Sequence, residues 1–485
     1  GCGICLALAH LFKCPVASGR LLAGPGTGKS LTAVMLAERL LQLTPKPRLN
    51  FLTFTRAATA ELAEKFQLRA VNAIALSTFH SFSLATLLRN PGSADYPEPL
   101  RIPDDYEMKK LIQPHLAGLA GNIGVRKIRE LIDEMAANWE SLDPEENPAI
   151  TPEERARFLG VWDQHRVVFG YTLLAELPDL FRRALSEYDD LQGIDYDLLI
   201  VDEYQDLNAC ELEVLRRLAK TGVAIFALGD DDQSIYSFRK ANPDGIRRFP
   251  QEYKCDNNYT LTVCQRSARA IVKWSQFVIQ GHPDRGDRRS LKITEDAPQG
   301  QVALLSFKGI RSEAQGISQL VSWLINEKDI PPSEILILYR SDYNDQFTKP
   351  IREELTKQNV LVQDTNLVEQ ILQEERNRYL VSILRLLVNR TDSLAWWTLI
   401  FLRERLGKQF VNYIFDQAIE SNATFGDSFI ALAEKDFPDG PTQKAPARKL
   451  CKDVLSTLEN VAIPEGGMKS WGAWIIDQID AQRLP

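Results

Sequence analysis

The segment RLLAGPGTGKS, residues 20–30, joins a short apolar strand to the start of a helix through a glycine-rich turn. Its three glycines let the backbone curl so that N–H groups face a phosphate. Lys29 can reach the β- and γ-phosphates of a nucleotide, and the Ser30 hydroxyl can hold Mg²⁺. The sequence therefore predicts a nucleotide site made by Ala23, Gly24, Pro25, Gly26, Thr27, Gly28, Lys29 and Ser30.

A second apolar strand, residues 198–201, runs directly into the acids of VDEYQDLN. Ligands of open α/β sheets bind beyond the carboxyl ends of the strands. We expect Asp202 to hold Mg²⁺ through water there and Glu203 to lie near a water that attacks the γ-phosphate. A helix N-terminus that favours acids is the alternative interpretation.

A third strand ends at Gly229 and leads into DDDQSIYSFRKA. Gln233 can hydrogen-bond a γ-phosphate or orient water. Tyr236 and Phe238 stand beside basic residues, a pattern typical of platforms that stack unpaired bases. Core packing is the alternative for either ring.

Composition limits the class of protein. The chain has 485 residues, enough for roughly three domains, with 57 basic and 65 acidic residues and a net charge of -8. That balance argues against nonspecific coating of nucleic acid but allows a local basic groove. Seven scattered cysteines indicate reduced thiols in a cytoplasm, and no apolar run is long enough to span a membrane.

The N-terminal stretch GCGICLALAHLFKC has two interpretations. The simpler one is an apolar helix with incidental thiols. The other is a zinc site, because Cys2, Cys5, His10 and Cys14 come close to zinc-knuckle spacing.

Alternating strand and helix patterns predict an α/β fold with parallel sheets. A Pro/Gly-rich break after Asn90 opens a helical stretch that interrupts the first sheet. A second α/β stretch follows, with expected strands at 302–307, 334–339 and 360–363, and the chain then turns helical.

Six motifs follow one another in the order found in superfamily 1 DNA helicases, and the chain resembles their UvrD/Rep/PcrA branch from Leu21 to Asn389. The motifs are AGPGTGKS, TFTRAATAELAEKF, STFHSF, VDEYQDLN, GDDDQSIYSFRKA and ILYRSD. The resemblance implies two RecA-like P-loop domains, each with a helical insertion. The expected boundaries are 1–89 and 190–254 for the first domain, 90–189 for its insertion, 255–375 for a partial second domain and 376–485 for a partial second insertion.

The resemblance also implies residue roles. Lys29 and Ser30 look like phosphate and Mg²⁺ ligands, Glu203 like the general base with Asp202 beside the metal, and Gln233 like the γ-phosphate sensor. Arg266, in LTVCQRSA, resembles an arginine finger from the second domain. Residues expected to contact DNA are Phe54, Thr55, Arg56, Thr78, Phe79, His80, Tyr236, Phe238, Tyr339 and Arg340.

The chain departs from the family pattern at several points. No adenine-reading Gln precedes the phosphate loop, Gln265 stands in place of a Tyr, and Leu31 in place of an Arg. Neither a GLE-type segment nor a C-terminal TRA-type motif is present, so we expect a C-terminally truncated helicase.

The resemblance implies an ATP-dependent helicase or translocase that moves 3′-to-5′ on single-stranded DNA, uses Mg²⁺ and acts on 3′-tailed duplexes. The alternative is a nucleotide-gated, single-strand-binding ATPase that does not unwind. A metabolic P-loop kinase is a third possibility, and it should be indifferent to DNA. The pathway and the oligomeric state stay open.

Overall fold

The structure, a computed structural model, describes residues 16–43, 45–69, 74–235, 242, 244–255, 257–281, 290–342, 345–363, 371–403, 406–438, 440–461, 474–475 and 478. The cysteines and histidine of the N-terminal stretch lie outside the described residues, as do Tyr236 and Phe238. The chain divides into one unit of residues 1–300 with 378–485 and another of residues 301–377.

The first unit is built on a six-stranded sheet in which every pairing is parallel. Its strands are β1 Gly19–Ala23, β2 Leu49–Thr53, β3 Ile74–Thr78, β4 Leu198–Val201, β5 Ala224–Gly229 and β6 Asn258–Leu261. Their order across the sheet is β3-β2-β4-β5-β1-β6. The central strands β4, β5 and β1 therefore bring their carboxyl ends to one edge, as the sequence predicted.

Both faces of this sheet are covered, which explains why its central strands are apolar along their whole length. On β4, Leu198 and Ile200 pack into one core and Leu199 and Val201 into the other. Successive side chains of a strand point to opposite faces, so one strand contributes to two hydrophobic layers.

Helices of the first unit follow the chain in this order: α1 Lys29–Leu40, α2 Arg56–Leu68, α3 Phe79–Arg89, α4 Gln113–Leu119, α5 Val125–Ser141, α6 Pro152–Phe169, α7 Leu177–Glu187, α8 Ala209–Lys220, α9 Asp244–Glu252 and α10 Arg269–Gln280. After residue 370 they are α13 Glu375–Val388, α14 Ser393–Phe401, α15 Lys408–Ser421, α16 Phe425–Glu434 and α17 Lys444–Asn460. Among the described residues, no helix has the length and apolar character needed to cross a bilayer.

The two stretches that the sequence predicted as separate helical insertions pack together. One hydrophobic cluster contains residues from 111–173 and from 383–461. Phe169 of α6, for example, stacks on Trp397 of α14 at a ring distance of 4.2 Å. We call this joint core the helical body. Sequence periodicity identifies a helix face but not the helix that covers it, so this pairing was not predicted.

The first sheet extends beyond its expected end at residue 254. Strand β6, Asn258–Leu261, pairs in parallel with β1. These residues were expected in the second domain, but hydrogen bonding places them at the edge of the first sheet. The next strand, β7 Val263–Cys264, pairs with β8 Lys292–Ile293 in a small separate sheet.

The second unit, residues 301–377, contains α11 Ile310–Lys328 and α12 Thr348–Lys357. The strands predicted at 302–307, 334–339 and 360–363 do not form there, and the second RecA-like domain shows no sheet within residues 301–342 and 345–363. Their alternating apolar residues are exposed instead, with Leu304 98% and Leu338 81% accessible. Hydrophobic alternation predicts the strand, but a strand also needs a hydrogen-bonded neighbour.

Candidate active site

The turn between β1 and α1 has the shape of a phosphate loop. Gly26 and Gly28 have φ of 69° and 93°, in the left-handed region that favours glycine. Gly28 is the N-cap of α1, so Lys29 begins the helix and the first helical N–H groups point into the turn.

Residues 264–266 pack directly against this loop. Gln265 donates its backbone N–H to the Gly26 carbonyl at 2.8 Å. A Cβ on Gly26 would lie 2.8 Å from Cβ of Arg266 and 3.0 Å from Sγ of Cys264. Gly26 is thus required both by its own conformation and by the close approach of Arg266.

The acids after β4 lie beside Lys29. The Lys29 amine contacts Oε2 of Glu203 directly and lies 3.5 Å from Oδ1 of Asp202. Glu203 itself adopts φ 51°, an uncommon conformation for a residue with a side chain. The contact of both carboxylates with Lys29 favours a role at the phosphate loop over the N-terminal-acid interpretation.

Burial changes the proton affinities of this cluster. Burial by itself would lower the pKa of Lys29, but attraction to Asp202 and Glu203 outweighs it and holds the pKa above its ordinary value. Burial raises the pKa of Asp202, which is only 6% exposed, and the attraction of Lys29 offsets part of that effect. A further cation at this point would favour the ionised carboxylate.

The third predicted element follows β5. Asp230 is buried, and its Oδ2 accepts a hydrogen bond from Nε2 of Gln233 at 2.6 Å. Gln233 ends a short 3₁₀ turn, Asp231–Gln233, at the same edge of the sheet as Glu203.

One cavity of about 320 Å³ collects these groups. The predicted residues that line it are Gly24, Pro25, Gly26, Gly28, Lys29, Ser30, Asp202, Glu203, Gln233 and Arg266. Arg266 was expected to come from the second domain, yet it belongs to the same unit as the phosphate loop. Six charged or polar side chains named from sequence therefore surround one space large enough for phosphates.

Two charged residues that line the cavity were not predicted from the sequence. Glu61 and Lys65 of α2 form an ion pair of 2.5 Å at the cavity wall. The hydrogen bond from Lys65 lowers the pKa of Glu61, and the nearby charge of Arg266 acts in the same direction. Their i,i+4 spacing is ordinary for a surface helix, so nothing in the sequence singled them out.

The predicted DNA motifs of the first unit follow two neighbouring strands. Thr53 of β2 pairs with Thr78 of β3, so the loops after both strands begin side by side. Thr55 and Thr78 cap α2 and α3 through their side-chain oxygens. One crevice is lined by Phe54 and His80 together with Asp202, which links these loops to the acidic cluster.

Phe79 corrects one expectation. Its side chain is 3% exposed and packs in the core on one face of the sheet, so it does not reach the surface. Arg56 is exposed at the start of α2. Tyr339 and Arg340 are also exposed, but they belong to the second unit.

The parallel sheet with its phosphate loop and acidic strand ends defines a P-loop nucleotide-binding fold. Family comparison is more specific. Residues 12–254 match the UvrD/REP helicase N-terminal domain, and residues 259–436 match the UvrD-like helicase C-terminal domain. The chain belongs to the UvrD/REP helicase family.

Similar proteins carry helicase names. ATP-dependent DNA helicase Rep of Buchnera aphidicola (Acyrthosiphon pisum, strain APS) is 25% identical over 428 residues, covering 80% of this chain and 61% of the relative. Rep of Escherichia coli K12 is 24% identical, covering 78% and 58%. ATP-dependent DNA helicase PcrA of Leuconostoc citreum is 25% identical, covering 70% and 47%. The chain thus spans between 47% and 61% of the length of these three curated relatives.

Proposed function

We propose that this chain carries the ATP-hydrolysing site of a DNA helicase that moves 3′-to-5′ on single-stranded DNA. The observation that carries the proposal is the single cavity lined by Lys29, Asp202, Glu203, Gln233 and Arg266. Phosphoryl transfer depends on positioning and charge stabilisation, and these side chains are of the types that provide both. The helicase names of the similar proteins supply the substrate class.

The oxygen donors fit a magnesium ion bound together with the nucleotide. Ser30 offers a hydroxyl and Asp202 a carboxylate at the wall of the same cavity. Mg²⁺ takes one or two protein ligands and completes its shell with phosphate oxygens and water. When bound, the ion neutralises charge on the phosphates. Among the described residues, no group of three or more His, Cys, Asp or Glu side chains forms a separate metal cluster.

Each charged group has a distinct task in hydrolysis. Glu203 accepts the proton of the attacking water, because its carboxylate lies at the cavity wall beside Lys29. Lys29 is shared between the acids and the phosphates. Arg266 approaches the phosphate loop at Gly26 and stabilises charge on the transferred group.

Hydrolysis and DNA binding are coupled through adjacent loops in this proposal. Arg56 is placed to contact a DNA phosphate, and His80 shares a crevice with Asp202. A single DNA strand that lies across the carboxyl ends of β2 and β3 therefore contacts His80, which shares a crevice with Asp202 of the acidic cluster. Tyr236, Phe238, Tyr339 and Arg340 remain predicted DNA contacts. The free thiols of Cys210, Cys264 and Cys451 support the proposal that the protein acts in a reducing compartment such as the cytoplasm.

Turnover and unwinding separate the possible functions. ATP hydrolysis is measured with and without single-stranded DNA, and strand separation is measured on matched duplexes with a 3′ or a 5′ tail. We expect DNA-stimulated hydrolysis and unwinding of the 3′-tailed duplex. Stimulated hydrolysis without unwinding of either duplex favours the nucleotide-gated binding ATPase. Hydrolysis indifferent to DNA contradicts both and leaves the kinase hypothesis.

A further inference from the structure

Gln205 is a buried amide in the middle of the acidic cluster. It lies in the short 3₁₀ turn Tyr204–Asp206 and is 1% exposed. A primary amide has two N–H donors and one carbonyl acceptor, and each costs free energy when it is buried without a partner. The contacts that it makes are therefore informative.

Both ends of the amide are used, and only one orientation suits the partners. Nε2 donates to Oε2 of Glu203 at 2.9 Å and to Oδ2 of Asp206 at 3.2 Å. Oε1 accepts the backbone N–H of Asp230 at 3.0 Å. Ionised carboxylates can only accept and a backbone N–H can only donate, so a glutamate at position 205 could not replace the amide's donors.

These bonds connect the two loops that hold the general base and the γ-phosphate sensor. Asp230, bonded to Gln205 through its N–H, binds the side chain of Gln233 through its carboxylate. The contacts run without a break from Glu203 through Gln205 and Asp230 to Gln233. Each step is a hydrogen bond of 3.0 Å or less.

The neighbouring backbone makes room for this amide. A Cβ on Gly229 would lie 2.3 Å from Oε1 of Gln205 and 2.6 Å from Cδ1 of Ile246. Gly229 is the last residue of β5, so the strand that carries the sensor turn ends in a residue small enough to admit Gln205.

We propose that Gln205 is a positioning residue that fixes the carboxylate of Glu203 and couples it to the turn of Gln233. Lys29 and Gln205 both bind Oε2 of Glu203, which orients the other oxygen, Oε1, to accept the proton of water. A displacement of Gln233 on the γ-phosphate moves Asp230 and, through Gln205, the base. This inference rests on the proposed ATPase function.

Substitution of Gln205 by methionine separates the effect of its hydrogen bonds from the effect of its size. Gln205→Met keeps the length and removes every hydrogen bond of the side chain. We expect kcat for ATP to fall about tenfold to a hundredfold, part of the roughly 10²–10⁴-fold that a general base contributes. The dissociation constant of a fluorescent ATP analogue should stay within about twofold, since Gln205 does not line the cavity and its bonds leave the phosphate loop in place.

Gln205→Glu places a third carboxylate against Glu203 and Asp206. Like charges raise the proton affinity of a carboxylate. We expect the acid limb of the pH profile of kcat to move about one unit to higher pH, while Gln205→Met lowers the plateau. This shift tests whether side chain 205 lies against the base, whereas the loss of kcat with unchanged nucleotide affinity in Gln205→Met tests the positioning role.

Gly229→Ala tests the same contact from the other side. The added methyl group should displace the amide of Gln205 and so reproduce the loss of kcat. The double variant with Gln205→Met should show little further loss, because both substitutions remove the same interaction between Gln205 and Glu203. Tyr204→Phe is the matched control. Tyr204 is fully buried in the same turn but its hydroxyl contacts Tyr253, away from the cavity.

Outcomes for the inference and for the ATPase function are distinct. If the parental chain hydrolyses ATP and Gln205→Met matches it in kcat and pH profile, the role of Gln205 is wrong and the function stands. Equal loss of kcat in Tyr204→Phe also overturns it. If the parental chain binds nucleotide but never turns it over, the proposed function fails, and the inference with it.

Discussion

The nucleotide site and the helical body both bury charged side chains, but they use them differently. In the site, Lys29, Asp202 and Glu203 face a cavity of about 320 Å³. In the helical body, buried charges bind segments that are far apart in sequence. Glu107 is fully buried and bonds Arg101 at 2.7 Å as well as Arg385, 278 residues away.

The partners of these charges distinguish the two regions. Asp104 takes a bidentate contact from Arg378, with distances of 2.6 and 3.0 Å, and a further bond of 2.9 Å from Arg385. These arginines belong to α13, on the second of the two joined segments. Charges pair with one another in both regions, but those of the site also face a cavity, where they can act on a ligand.

Arg266→Ala should have the largest effect and act only on chemistry. An arginine finger contributes about 10³–10⁵-fold to turnover, or roughly 4–7 kcal/mol of activation free energy. We expect the rate of ATP hydrolysis to fall by that order, with the thermal midpoint unchanged, because Arg266 is exposed. The control is Gln265→Ala, which keeps the backbone bond to Gly26. A similar loss in that control would assign the effect to the loop and not to the guanidinium.

Glu107→Ala should act on stability and leave the nucleotide site intact. It removes a buried carboxylate from between two arginines, which typically costs about 3–5 kcal/mol in the free energy of unfolding. Urea unfolding measures the loss, and a fluorescent ATP analogue measures binding to the folded protein. Retained stability would show that the ion pairs do not hold the joined segments together.

The histidine pair of the helical body should make stability depend on pH. Nε2 of His165 lies 3.1 Å from Nδ1 of His115, which bonds Asn412 through its other nitrogen. Burial, with the charge of Lys408, lowers the pKa of His115 from 6.5 to about 4, and burial lowers that of His165 well below 6.5.

Between pH 6.5 and 4 the unfolded chain therefore binds more protons than the folded chain. Stability should fall as the pH is lowered through this range, by about 1.4 kcal/mol per pH unit for each histidine. His165→Phe removes one of the two groups and should reduce that slope. Equal slopes in the parent and the variant, measured by urea unfolding across this range, would contradict the assignment.

Asp105→Ala should have the smallest effect and serves as the contrast to Glu107. Its ion pair with Lys109 has the same 2.7 Å distance as that of Arg101 with Glu107, but both of its side chains are largely exposed. We expect less than about 0.5 kcal/mol in the free energy of unfolding. A loss comparable to that of Glu107→Ala would mean that burial is not what separates the two pairs.

The sequence predicted the site well where a motif of adjacent residues lies at the carboxyl end of a parallel strand. Glycines that need positive φ, a following Lys and acids after an apolar strand are readable from adjacent positions. Their convergence follows because parallel strands bring their carboxyl ends to one edge. The α/β class, the phosphate loop and the wall formed by Asp202, Glu203 and Gln233 were all predicted on that ground.

Contacts between distant segments could not be read in this way. Periodicity identified the apolar faces around Phe169 and Trp397 without showing that they meet. It also predicted strands at 302–307 and 334–339 that do not form, and it did not distinguish a buried Phe79 from an exposed one. The sequence predicted no role for Gln205, because its hydrogen bond to Asp230 spans 25 residues.

The central claim is that ATP is hydrolysed in this cavity with Glu203 as the general base. The most direct test is the rate of ATP hydrolysis by the Glu203→Gln variant. The amide keeps the shape of the side chain and a contact for Lys29 but cannot accept a proton. We expect ATP affinity to stay within about twofold and DNA-stimulated turnover to fall by at least about 10²-fold. Turnover at the parental rate, with nucleotide bound at this site, would contradict the account.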